Sequence, residues 1–167
     1  MKKILIIGAG QSGLQLALGL QAEGYAVTII SNRTADEIRN GSVLSTQCLF
    51  NTALRYEQAQ GLDYWAEEAV NIEGVGISVG DNQGGRVINW TGKLNGYAQS
   101  VDQRLKMAHW LNLFTERGGE LIIQEATTKT LTTLAPHFDL TLVASGKSEL
   151  ANLFEHNANL SVFTSPQ

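Results

Sequence analysis

The hydrophobic pattern at the start of the chain is continuous rather than alternating. Lys3-Ile4-Leu5-Ile6-Ile7 and Ala26-Val27-Thr28-Ile29-Ile30 are short apolar runs bounded by charged, glycine or polar residues, which is the pattern of strands buried on both faces. Between them Leu14, Leu16, Ala17, Leu18 and Leu20 predict a helix that stops at Glu23-Gly24. Strand, loop, helix and strand within about 30 residues make one right-handed βαβ unit. Residues 31–47 carry turn and cap chemistry, including Asn40-Gly41, and a helical pattern follows over about 49–60. Residues 72–79 and 86–90 alternate on either side of a turn-rich stretch at 80–85, so they predict an antiparallel hairpin. A strongly periodic helix is expected over 101–117, stopped by Gly118-Gly119, with short strands at 120–124 and 140–144. Residues 157–167 show no periodicity.

The loop between the first strand and the first helix reads Gly8-Ala9-Gly10-Gln11-Ser12-Gly13. This G-x-G-x-x-G follows a buried strand and opens a helix, which is the context the dinucleotide fingerprint requires. Gly8 permits the sharp turn, Gly10 lets a pyrophosphate approach bare backbone, and Gly13 lets helix and strand pack closely. The helix N-terminus then presents N–H groups and a partial positive charge to the phosphates. The bland alternative is a glycine turn with no ligand. The end of the second strand holds Ser31-Asn32-Arg33 instead of the acidic residue that would bind a ribose hydroxyl pair. Arg33 suits a 2′-phosphate, or is a solvated loop charge, and Ser31 and Asn32 could hydrogen-bond a ribose directly.

Composition narrows the picture modestly. Hydrophobic residues make up 43% and charged residues 17% of 167, and the formal net charge is −4, so the chain is globular and a nucleic-acid partner is not expected. The apolar run before Gly8 is too short for a secretion signal or a membrane span. One cysteine, Cys48, excludes an internal disulfide and fits a cytoplasmic setting. Cys48 beside Leu49 and Phe50 reads as a buried, inert thiol. Trp65, Trp90 and Trp110 read as core or interface, and His109 as packed beside Trp110. The three histidines lack ligand spacing with Cys48 or a carboxylate cluster, so no metal is expected. Asp102 and Arg104 at a helix start would pair or cap, and no G-x-S-x-G is present to support a hydrolase elbow.

Six stretches, in order, resemble the oxygenase component of styrene and indole monooxygenases, a two-component FAD-dependent flavoprotein monooxygenase family. They are Ile7 through Leu14, Ser31-Asn32-Arg33 with Asp36-Glu37, Leu44-Ser45-Thr46-Gln47, Ser100-Val101-Asp102-Gln103-Arg104, Glu116-Arg117-Gly118-Gly119, and Asp139-Leu140 through Ala144-Ser145-Gly146-Lys147. The resemblance implies an α/β, Rossmann-like FAD-binding fold of the glutathione-reductase type, with an antiparallel strand insertion and an incomplete substrate domain. It implies one discontinuous FAD-binding domain, with a nucleotide-binding core at 1–48 and about 98–150. The first substrate-domain strands would lie at about 65–95 and a truncated tail at 151–167. FAD would lie along Gly8, Ala9, Gly10, Gln11, Ser12 and Gly13. Ser31, Asn32 and Arg33 would meet the adenosine end, Ala126 the adenine, and Gln99 the ribityl or phosphate. Ala144, Ser145 and Gly146 would end the strand beneath the cofactor. Thr46 and Gln47 would lie near the flavin ring, or simply cap a turn. Members of the family carry an arginine just after the glycine matching Gly41, where this chain has Ser42 and Val43. They are also longer, so the chain is expected to be a fragment or a truncated product.

Enzymes of this kind take reduced FAD from a separate flavin reductase and pass one oxygen atom, through a flavin peroxide, to a small apolar aromatic alkene or similar substrate. No acid–base side chain is obligatory, so the catalytic residues stay unassigned. The resemblance implies no membrane and allows a homodimer. Two other readings stay open: a non-oxygenase dinucleotide-binding module or NADP-linked oxidoreductase, and a folded fragment with no function of its own.

Overall fold

The computed structural model describes residues 1–43, 48–146, 150, 153–155, 157 and 159–160. In chain order the elements are β1 (Lys3–Ile7), α1 (Gln11–Ala22), β2 (Ala26–Ser31), α2 (Ala35–Arg39), β3 (Cys48–Leu49), α3 (Asn51–Ala59), β4 (Ile72–Gly80), β5 (Arg86–Ser100), α4 (Gln103–Glu116), β6 (Glu120–Ile123), α5 (Thr128–Leu134) and β7 (Leu140–Val143), with a 3₁₀ turn at Ala135–His137. They form two compact units: Met1–Ile38 with His109–Gln167, and Arg39–Ala108.

The first unit is α/β, with a four-stranded parallel sheet in the order β6-β2-β1-β7. Both apolar runs of the sequence are inner strands. Leu5, Ile6, Ile7, Ile29 and Ile30 are at most 1% exposed, because helices cover both faces of a parallel sheet. Leu14, Ala17 and Leu18 of α1 and Trp110, Leu111 and Phe114 of α4 are equally buried. Leu131 and Leu134 of α5, with Phe138 and Val143, pack on the cluster of Leu5, Ile7, Ile30 and Leu150.

Two short helices lie where the sequence showed only turn chemistry or no clear period. At α2 the Thr34 hydroxyl accepts the Glu37 N–H at 3.2 Å, while the Glu37 carboxylate accepts the Thr34 N–H at 2.7 Å. This is a reciprocal capping box, and it holds the Glu37 carboxyl below its usual range. The α5 sequence TKTLTTL is rich in β-branched threonine, which lowers helix propensity. Its helix rests on Thr127, whose hydroxyl accepts the Thr130 N–H, and on the two packed leucines.

The second unit is a three-stranded antiparallel sheet, order β3-β5-β4, with α3 and the start of α4. The expected hairpin is present, but β5 is much longer than 86–90. It pairs first with β4 and then, at Gln99 and Ser100, with β3. The pairing of β3 with β5 ties Cys48 and Leu49 to this unit. Cys48 is exposed, against the expectation of a buried thiol: β3 is a two-residue edge strand that turns Leu49, not Cys48, inward. Trp90 is 47% exposed, so it is not core. It faces Ile77 across a two-stranded ribbon, and a ribbon has no second layer of its own to bury it. No helix among the described residues is long and apolar enough to cross a membrane.

Candidate functional site

In the first unit β1 has β2 on one side and β7 on the other. The chain therefore leaves the C-terminal end of β1 where the strand order reverses, which is where ligands bind in open α/β sheets. The glycine loop lies at this point. Gly8 has φ +115°, and a Cβ there would run into the Ala144 carbonyl. A Cβ on Gly13 would run into the Gly8 carbonyl. These two glycines are required by the packing of β1, α1 and the β7 end against one another. Gly10 differs: it is exposed, and a Cβ added to it would meet nothing within 4 Å. Its lack of a side chain serves no contact within the fold and leaves bare backbone facing open space.

The α1 terminus beside Gly10 is also bare. Its N-cap is Gly10, it has no side-chain cap, and its first turn holds no acidic residue. The Leu14 N–H donates to the Gly10 carbonyl at 2.9 Å, so the N–H groups before it have no acceptor inside the helix. By contrast, α2 and α5 carry Thr caps, and Asp102 accepts the Arg104 N–H at 2.8 Å at the start of α4; α3, like α1, starts without a side-chain cap. An uncapped helix N-terminus behind side-chain-free backbone fits an anionic diphosphate, and the donor set therefore suits a dinucleotide.

The remaining expected contacts of this unit gather around the same sheet end. Ser31 is 5% exposed, and its hydroxyl donates to the Arg33 carbonyl at 2.6 Å and accepts the Arg33 N–H. That side chain shapes the turn, which leaves exposed Asn32 and half-buried Arg33 as the groups able to reach a ligand. The Gln124 N–H donates to the Ser31 carbonyl and brings the β6 end, with half-buried Ala126, beside the β2 end. Ala144 follows β7, its N–H donating to the Ile7 carbonyl at 2.8 Å, and Ser145 and Gly146 continue from it. Ala9, Gln11 and Ser12 complete the loop. Thr46, Gln47 and Lys147 lie outside the described residues.

Gln99 lies in the second unit. It is 5% exposed, and its amide nitrogen is 2.9–3.0 Å from the carbonyls of Ala66 and Ala69 and from Asn71 Oδ1. The donor end of this amide thus fastens residues 66–71 to the end of β5. Asp102 and Arg104 pair at 2.6 Å as well as cap. The Arg104 side chain and backbone N–H hold the Asp102 carboxyl below its usual range. Sequence reasoning missed the most buried polar group of this unit. Lys106 Nζ donates to both Glu57 oxygens, at 2.8 and 2.9 Å, with both side chains 3% exposed. The available signal was Lys106 itself, which precedes Trp110 by one helical turn on the stripe that α4 buries. Among the described residues no group of three His, Cys, Asp or Glu side chains is placed to hold a metal ion.

No family model matches the chain. Over 166 residues, 99% of its length, it is 30% identical to styrene monooxygenase StyA of Pseudomonas fluorescens. The same identity and extent hold for the StyA of a Pseudomonas species. The chain is similar to styrene monooxygenase StyA over nearly its whole length. It spans 39% of the length of these two relatives. Among solved structures, the flavin-dependent brominase Bmp2 superposes with a TM-score of 0.58 at 16% identity, over 75% of this chain and 30% of that one. The flavin-dependent halogenase CmlS gives 0.57 at 20% identity, over 72% of this chain and 22% of that one. At these identities the structures speak for the fold.

Proposed function

We propose that this chain is the N-terminal, FAD-binding part of a flavoprotein monooxygenase, built on a Rossmann-like fold of the glutathione-reductase type. The observation that carries the reading is Gly10: exposed, glycine without any packing need, and set beside an uncapped helix N-terminus at the strand-order reversal. The likeness to styrene monooxygenase over nearly the whole chain selects FAD among dinucleotides. Gly8 through Gly13 would hold the diphosphate. Asn32, Arg33 and the backbone at Ser31 and Ala126 would hold the adenosine end. Ala144, Ser145 and Gly146 would lie under the cofactor. FAD, when bound, supplies the oxygen-transfer chemistry; the residues of this chain bind and orient it. A separate flavin reductase would deliver it reduced, a small apolar aromatic molecule would be the substrate, and the cytoplasm would be the setting.

The test is a titration of the purified chain with FAD, read by quenching of flavin fluorescence, followed by anaerobic addition of reduced FAD, then oxygen and styrene. Saturable FAD binding is the expected result, with epoxide formation where the binding unit suffices for turnover. A chain that binds NADPH and never FAD refutes the reading. That outcome would favour an NADP-linked module, the alternative supported by Arg33 and by the absence of an acidic residue at the end of β2.

A further inference from the structure

The second unit holds a cavity of about 240 Å³ to which the flavin reading gives no role. A cavity of roughly 150 Å³ is enough for benzene, so this one has room for a single substituted ring. Its walls divide by chemistry. Leu54, Trp65, Tyr97 and Val101 form an apolar and aromatic part, while Glu57, Lys106 and Gln99 contribute buried polar groups. The charges balance: Arg55 and Lys106 stand against Asp63 and Glu57. A ligand of either net charge would meet as much repulsion as attraction. A bare hydrocarbon would displace water from polar walls without replacing its hydrogen bonds, which is unfavourable. A neutral ring with one hydrogen-bonding group matches both halves.

We propose that this cavity binds a small neutral ring molecule bearing a hydroxyl, of the phenol class, in preference to the hydrocarbon of the same shape. The site lies wholly within residues 51–106 and its occupancy requires no flavin, so it stands or falls separately from the reading above.

Phenol and toluene, which have nearly the same shape, are titrated in turn into the ¹⁵N-labelled full chain without flavin. The readout is the indole N–H cross-peak of Trp65, assigned by its loss in Trp65→Phe. The expected result is a saturable shift with phenol, at an affinity at least about tenfold tighter than with toluene. Leu54→Phe, which fills the cavity, is expected to weaken phenol at least tenfold while leaving the circular dichroism spectrum unchanged. Val101→Phe, read in the same way, serves if Leu54→Phe fails to fold. The proposal is overturned if phenol gives no saturable shift, if toluene binds as tightly, or if phenol binding survives a folded cavity-filling variant undiminished.

Discussion

Replacing Gly10 by alanine separates packing from ligand binding at the glycine loop. The methyl group would meet nothing within 4 Å, and Gly10 has φ −90° and ψ −174°, a conformation that alanine adopts freely. Two small effects on stability oppose each other. Restricting the unfolded chain stabilises by about 0.4–1 kcal/mol, whereas alanine is a poorer N-cap than glycine by up to about 1 kcal/mol. The net change is expected to stay within about 1 kcal/mol, a shift of no more than about 4 °C in Tm for a chain of this size. Gly13→Ala provides the contrast, because its methyl group would overlap the Gly8 carbonyl. Overpacking against backbone costs about 1–3 kcal/mol or more, so Tm should fall by roughly 2–12 °C. In FAD titrations Gly10→Ala should nonetheless weaken binding at least tenfold, about 1.4 kcal/mol, because its methyl group occupies the space assigned to diphosphate oxygens. An FAD affinity equal to that of the unaltered chain would refute the reasoning. So would a Gly10→Ala chain destabilised as much as Gly13→Ala.

Other outcomes follow from the polar anchors. Lys106→Met strands the Glu57 carboxylate at 3% exposure and should cost about 3–5 kcal/mol, whereas Lys106→Met with Glu57→Leu should recover most of that loss; urea unfolding of the three chains decides. Thr127→Ala removes the α5 cap and should cost about 0.5–2 kcal/mol, measured in the same way. The carboxyls of Glu37, Asp102 and Asp139 are all held below their usual range, chiefly by the hydrogen bonds they accept from Thr34, Arg104 and Lys3 respectively. A lowered native pKa contributes stability that is fully present above the unfolded value, near 4, and is lost as pH falls through the native values. Acid titration of Tm should therefore show a decline beginning below about pH 5, less steep in Asp102→Asn; identical acid limbs would contradict this.

The parts of the fold legible in the sequence are those written in local pattern. Continuous apolar runs marked β1 and β2, and the glycine spacing between them marked both the turn and the candidate diphosphate site. Gly118-Gly119 marked the end of α4. Features set by distant partners were not legible. Glu57 and Lys106 lie 49 residues apart, so nothing local to either announces a buried ion pair. Cys48 sits among apolar neighbours, yet its exposure depends on which way a two-residue edge strand turns. The threonine-rich α5 has weak intrinsic propensity, and its helix depends on packing against Leu150 and its neighbours. Ser31 was legible as a polar group at the right strand end, but its engagement with the Arg33 backbone follows only from the turn geometry.

The most direct measurement is an FAD titration of the ¹⁵N-labelled chain that follows the backbone N–H groups of residues 10–14. Binding as described moves these resonances together, saturably, and with the same midpoint as the quenching of flavin fluorescence. Quenching with these five resonances unmoved, or no interaction with FAD at all, would contradict the account.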